Sequence, residues 1–331
     1  MPPHAGQANG LRASYATLGT AALSQDVLAA AVFGAGSIAP SDPRCLRIEL
    51  EPLAGAGLSE VWQGGGRMRI GTAGPIRYVE DGRHLAGWID LEETGFHGLD
   101  EAAEAAYLGL LQFHATTPYR HVWRIWSFVA DINEGAGDDE RYRQFCLGRA
   151  RAFAAVHATL PGIGYPAATA VGKMTPARRS LQVCWLAGRD LGVEIENPRQ
   201  LAAYRYPRRY GPAAPSFSRA MLVPGPLLLV SGTASIVGHE SMHPGDTIAQ
   251  LHETLDNLDA LLRQAAEVAA RPVPRLGPDS LFKVYLRRAE DAAPVVQQLH
   301  ARLGEGLPLV ILAADICREE LLLEIEAVVP V

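Results

Sequence analysis

Cysteine is scarce and scattered. The four thiols, Cys45, Cys146, Cys184 and Cys317, form no C-x-x-C pair, so the spacing used by structural zinc sites and paired redox motifs is missing. No apolar run approaches the roughly 20 residues needed to span a bilayer, so no membrane partner is expected. The opening stretch MPPHAGQANG has neither a basic start nor an apolar centre and does not read as an export signal. A cytoplasmic chain with reduced thiols is therefore expected. A basic excess is also missing: 30 Lys and Arg against 36 Asp and Glu leave a net charge of −6. That disfavours a nucleic-acid partner, because phosphate binding wants clustered cations.

What is present is an ordinary globular composition, 48% hydrophobic and 20% charged, in 331 residues. That length allows two domains. Residues 1–45, rich in Gly, Pro and small apolar residues, read as an irregular leading segment. Short strand-like pieces follow from Leu46 to Asp90. Helices are expected over about 99–114, with Asp100 as N-cap, and over about 138–157. The strands HVWRIWSFV, AATAVG and SLQVCWLA are expected around and after the second helix. The second half repeats this order. AMLVPG and LLLVSGTAS precede a helix over about 246–269, in which Ile248, Leu251, Leu255, Leu258 and Leu262 form one apolar stripe. LFKVYLRR, a helix over about 289–303, LPLVILAAD and LLLEIEAVV complete it. When RIWSFVADI is laid over KVYLRRAED, and RRSLQVCWLAG over REELLLEIEAV, Cys184 falls at the place of Glu324. Such a repeat implies two similar units, 1–194 and 195–331, each a sheet with helices on one face.

Two motifs fail on context. HESMH (239–243) spells the H-E-x-x-H zinc signature, which works only on a helix. Gly238 precedes it and Pro-Gly follows, so a loop with two solvated histidines is expected. FGAGSIA (33–39) matches a dinucleotide-binding pattern, but PSDP breaks the helix that a phosphate site requires. A Gly-rich loop is expected there.

Chemistry concentrates elsewhere. Strand alternation puts Glu324 and Glu326 on one face of LLLEIEAVV, and Lys283, Tyr285 and Arg287 on one face of LFKVYLRR. Arg124 occupies the equivalent strand of the first half. Such a face is either a wet surface with cross-strand ion pairs or a cleft that holds an anion while a carboxyl moves a proton. A lone thiol such as Cys317 is more often a small core hydrophobe than a reactive group. The stretch AYRYPRRYGPAAPSFSRA (203–220) supplies Tyr204, Tyr210 and Arg219 among other rings and cations. It suits a clamp on a carboxylated ring, or a linker whose tyrosines pack on the neighbouring sheet.

At these residues the sequence resembles known families. APSFSRAMLVPGPLLLVSGTASIVG, GDTIAQLHETLDNLDALL, FKVYLRRAED and LLLEIEAVV resemble the YjgF/RidA family. The chain from about Leu46 on, with RIWSFVADINEG, ERYRQFCLGRARAF and ENPRQLAAYRYPRRYGPAAPSFSRA, resembles the chorismatase family, in which two such units are fused. The resemblance implies an α/β (α+β) fold of two YjgF/RidA-like units, each a mixed sheet with helices on one face. It also implies an enzyme that removes pyruvate from chorismate. Hydrolytic members give a dihydroxycyclohexadiene carboxylate, others give 3-hydroxybenzoate, and a pigment-pathway (xanthomonadin) branch gives 3- and 4-hydroxybenzoate together.

The family's catalytic glutamate falls on Glu324. The cysteine that marks the aromatising members, seven residues earlier, falls on Cys317. The resemblance therefore implies Glu324 as general acid on the enolpyruvyl ether and Cys317 as a group that assists aromatisation. Arg219, Lys283, Arg287 and Arg124, with Tyr210 and Tyr204, are candidates to hold the two carboxylates and the ring. No metal or organic cofactor is implied, and a monomer is expected. The alternatives are a hydrolytic chorismatase and a YjgF/RidA-like imine deaminase or metabolite-binding protein.

Overall fold

The computed structural model describes residues 10–158, 164–174, 176, 178–225 and 227–331. Strands β1 (Arg12–Thr17), β2 (Val27–Phe33), β3 (Cys45–Ile48), β4 (Pro52–Ala54) and β5 (Leu58–Gln63) open the chain, and all but β4 form a sheet ordered β1-β5-β2-β3. The expectation of an irregular segment up to residue 45 is thus corrected where residues are described; its first nine lie outside them. RASYAT and VLAAAVF hold five Ala among thirteen residues, beside strand formers such as Tyr15, Val27, Val32 and Phe33. They become strands because β5 pairs with both and because Leu28, Val32 and Phe33 are buried.

The next sheet contains β6 (Arg69–Ala73), β7 (Ile76–Glu80), β8 (His84–Glu92), β9 (His121–Ala130), β10 (Ala167–Lys173) and β11 (Ser180–Gly188), with helices α1 (Leu99–Ala115) and α2 (Arg141–His157). The last contains β12 (Val193–Ile195), β13 (Ala220–Val223), β14 (Leu227–Thr233), β17 (Leu281–Leu286), β18 (Leu309–Ala313) and β19 (Leu323–Pro330), and β4 joins its edge beside β18. Helices α3 (Thr247–Ala269) and α4 (Ala292–Leu303) belong to it. A small hairpin, β15 (Ile236–Val237) and β16 (Glu240–Ser241), precedes α3. At α1 the N-cap is Gly98, and Asp100 sits inside the first turn, where its charge suits the positive helix end. Asp246 does cap α3, accepting from the Ala249 N–H at 2.9 Å.

The internal repeat is visible in the topology. Strands run β10-β9-β11-β8-β7-β6 in one sheet and β18-β17-β19-β14-β13-β12 in the other. The pairs β9/β10 and β17/β18 are parallel, while β11 and β19 run antiparallel to their neighbours. Cys184 lies opposite Trp126, as Glu324 lies opposite Tyr285.

Helices cover the outer faces. Leu110, Phe145 and Phe153 of α1 and α2 pack on Ile125, Val129 and Leu181. The stripe Leu251, Leu255, Leu258 and Leu262 packs on Phe282, Val284 and Ile325. The inner faces meet one another and the four-stranded sheet over Trp62, Trp88, Trp126, Phe128, Leu229 and Tyr285. The polar face of β17 and β19 is therefore neither a wet surface nor, over most of its length, a cleft. It is an interface between sheets.

That interface holds a buried charge network. Glu60 of β5 pairs with Lys283 of β17, which also reaches Glu326 of β19 at 2.7 Å. Arg124 of β9 donates to Glu326 Oε2 at 2.6 Å, as does the Thr169 hydroxyl of β10, and Trp126 Nε1 donates to Oε1 at 2.8 Å. Two cations meet two carboxylates away from water. Burial works against the Lys283 charge, but Glu326 and Glu60 raise its pKa above the ordinary value. An isolated charge here would cost several kcal/mol, so the balance matters more than any single pair. Lys283→Met should lower the unfolding free energy by about 3–5 kcal/mol in urea titration, because Glu60 and Glu326 lose their shared cation. Adding Glu60→Gln should recover much of that loss; a single variant as stable as the parent would contradict this account.

Candidate active site

Where the edge of β10 meets β14 and β19, a cavity of about 470 Å³ opens between the two repeats. Its floor is Glu324, only 5% exposed. The carboxyl lies against the backbone of Gly232 in β14, where an added Cβ would collide with it. The β14/β19 register breaks between Val230 and Thr233, and the Gly232 N–H turns to the Thr169 hydroxyl at 3.0 Å. Burial, reinforced by the Glu326 charge, pushes Glu324 up to about 8, against the weaker pull of Arg124 and Arg219. A carboxyl so placed can keep its proton near neutral pH and is suited to donate it.

Cys317 lies in the same wall, on the loop between β18 and β19. Burial and the nearby Glu324 push its thiol up to about 12. It therefore stands as a neutral thiol and lacks the thiolate a nucleophile requires. Its loop is held on two sides. Gly172 exchanges backbone hydrogen bonds with Asp315, at 2.7 and 3.2 Å, where any Cβ would strike the Asp315 side chain. Arg287 pairs with Asp315 and donates to the carbonyls of Ile316, Arg318 and Leu321 at 3.0–3.2 Å.

Cations line the same cavity. Arg219, 3% exposed, donates to the Leu201 carbonyl at 2.9 Å and the Tyr206 hydroxyl at 2.8 Å, while its Nε has no partner. Arg149 of α2 is 2% exposed, and its Nε and Nη2 are both unpartnered. It is flanked by the rings of Tyr107, Phe145 and Phe217. Buried guanidiniums with unused donors are costly unless an anion completes them. At the mouth, Arg318 lies over the Tyr210 ring at 4.0 Å, and Arg209 reaches the Tyr210 hydroxyl at 3.1 Å.

Of the residues expected at a site, Glu324, Cys317, Arg219 and Tyr210 share this cavity. The other four stand outside its lining. Lys283 and Arg124 are consumed by Glu326, Arg287 braces the Cys317 loop, and Tyr204 stacks on Tyr165 with ring centres 5.2 Å apart. Alternation assigned their faces; the partners covering those faces decide their work. Arg149 was missed. Its signal was a charge on the buried stripe of α2, between Phe145 and Phe153. In HESMH, Glu240 and Ser241 form a strand and His243 has positive φ, so no helix forms. His239 turns to Arg209 and His243 to Glu253.

Comparison with known proteins identifies the family. A family model described as Chorismatase FkbO/Hyg5-like, N-terminal, matches residues 60–187. A 3-hydroxybenzoate synthase of Streptomyces hygroscopicus is 37% identical over 283 residues, 82% of this chain and 81% of that protein. A chorismatase of Streptomyces rapamycinicus is 36% identical over 284 residues, 82% of each chain. A crystal structure of a chorismatase superposes with a TM-score of 0.84 at 30% identity, covering 97% of this chain and 98% of that one. The chain belongs to the chorismatase family.

Proposed function

We propose that the chain converts chorismate to pyruvate and 3-hydroxybenzoate, as a cytoplasmic monomer whose two repeats divide near residue 195. The observation that carries this reading is one cavity that holds a buried carboxyl, Glu324, whose pKa burial pushes up to about 8, together with two buried guanidiniums with unused donors, Arg149 and Arg219. Chorismate is a dicarboxylate with an acid-labile enol ether and meets both requirements. In this reading Glu324 gives its proton to the methylene carbon of the enolpyruvyl group, the C3–O bond breaks, and pyruvate leaves. The C4 hydroxyl oxygen bonds to C3 and its proton restores the Glu324 carboxyl. Opening of the resulting oxide with loss of a ring proton gives the phenol. Pyruvate and hydroxybenzoate together account for every atom of chorismate, whereas the hydrolytic outcome consumes one water. Cys317 beside Glu324, neutral and compact, fills space that a water would need. The name of the Streptomyces hygroscopicus relative favours the aromatic product.

Three outcomes are expected. Pyruvate release from chorismate, coupled to lactate dehydrogenase, should fall by about 10²-fold or more in Glu324→Gln, because an amide cannot deliver the proton. No pyruvate from the parent enzyme would point instead to an imine deaminase or a metabolite-binding protein. The rate should hold below and decline above about pH 8, since the acid works only while protonated and burial holds its pKa there. Cys317→Ala should keep pyruvate release while chromatography shows the non-aromatic diene acid gaining on 3-hydroxybenzoate. The same chromatogram reads any 4-hydroxybenzoate, the mark of the pigment-pathway branch.

A further inference from the structure

Glu324 and Glu326 lie two residues apart on the same face of β19, yet their surroundings are opposite. Glu326 receives four donors, from Lys283, Trp126, Arg124 and Thr169. Among the described residues no hydrogen bond or ion pair reaches the Glu324 carboxyl. Arg124 is the cation that could have served either carboxyl; it faces both and bonds only Glu326. We propose that Glu326 is a positioning residue for Glu324: it occupies the buried cations of the sheet interface and fixes a negative charge beside the catalytic carboxyl. This rests on Glu324 as the proton donor and assigns the device that keeps its proton in place.

The other groups facing Glu324 do not supply that device. Tyr285, opposite it on β17, is kept neutral by burial, and its hydroxyl has no partner. Cys317 is a neutral thiol, and Arg219 acts in the opposite sense, favouring the anion. Glu60 stands one layer back, paired with Lys283, which also bonds Glu326. Glu140, Glu319 and Glu320 line the same cavity, but Glu326 is the anion that shares the strand face of Glu324, and two cations hold it ionised. Two carboxyls driven apart by their neighbours are a recurring way to make one of them an acid.

The test titrates Glu324 itself. Infrared difference spectra across pH follow the carbonyl stretch of a protonated carboxyl, assigned to Glu324 by its loss in Glu324→Gln. In Glu326→Gln the negative charge is gone and Arg124 is released, so the midpoint should fall by about one pH unit or more. Glu326→Asp, which keeps the charge, should stay near the parent value. Arg124→Gln removes a cation that favours the anion and should raise the midpoint. Where pyruvate release is measurable, its alkaline limb should move with these midpoints. An unmoved midpoint in Glu326→Gln, or a fall in Arg124→Gln should Glu326→Gln not fold, overturns the inference. A mere packing role would lower rates without moving midpoints in opposite directions. The failures are separable: an active Glu324→Gln removes the proton-donor reading, whereas an inactive Glu324→Gln beside an unmoved Glu326→Gln removes only this one.

Discussion

The buried chain of charges Glu60–Lys283–Glu326–Arg124 is the constraint around which the rest of the protein is arranged. It draws one residue from the four-stranded sheet, one from the first repeat and two from the second. Apolar packing among these sheets is permissive, since Trp, Leu and Ala contacts tolerate small shifts. Four charges in a dry interface are not. Each pair must meet at hydrogen-bond distance or the desolvation cost is left uncovered. The network therefore sets how the sheets are seated on one another, and with that the position of the cavity at their junction.

The leading strands take on a purpose in this light. Tyr15 of β1 donates to the Phe282 carbonyl at 2.8 Å, and Glu60 of β5 supplies one of the two anions. Without that sheet Lys283 would face solvent. Glu326 would then be screened, and the field it exerts on Glu324 would weaken. The segment that reads as a plain lead-in thus excludes water behind β19.

Much of the architecture was legible in sequence. The stripe of α3, the alternation in β17 and β19, and the order of elements in the two halves follow from apolar periodicity. Cys317 and Glu324 emerged through family likeness, where periodicity alone offered a core thiol and one of two acids. Illegible were features that depend on what lies across a gap. β1 and β2 carry strand formers among their alanines, but the sheet that orders them depends on β5 lying between them. Alternation placed Lys283 and Arg124 on a polar face, but it could not say that Glu326 would consume them both. Arg287 pointed towards a site and instead became the brace of a loop. Arg149 was hidden because one Arg in an apolar helical stripe reads as a long side chain reaching for solvent.

Duplication explains why the site forms once when the fold repeats twice. At the place equivalent to Glu324 the first repeat has Cys184, opposite Trp126 instead of Tyr285. Burial drives that thiol far above its ordinary pKa, so it carries no proton-transfer chemistry near neutrality. The first repeat instead supplies Arg149 from α2 to the cavity and Arg124 from β9 to the network behind it. The second repeat provides the buried carboxyl, and both repeats provide cations: Arg149 and Arg124 come from the first, Arg219, Arg318 and Lys283 from the second. Were both acids present, a second buried carboxylate would compete for Arg124 and Lys283, and neither would remain a clean proton donor. With Cys184 in the first repeat, Glu324 is the one carboxyl at the two equivalent places, and the cations behind it bond Glu326 instead.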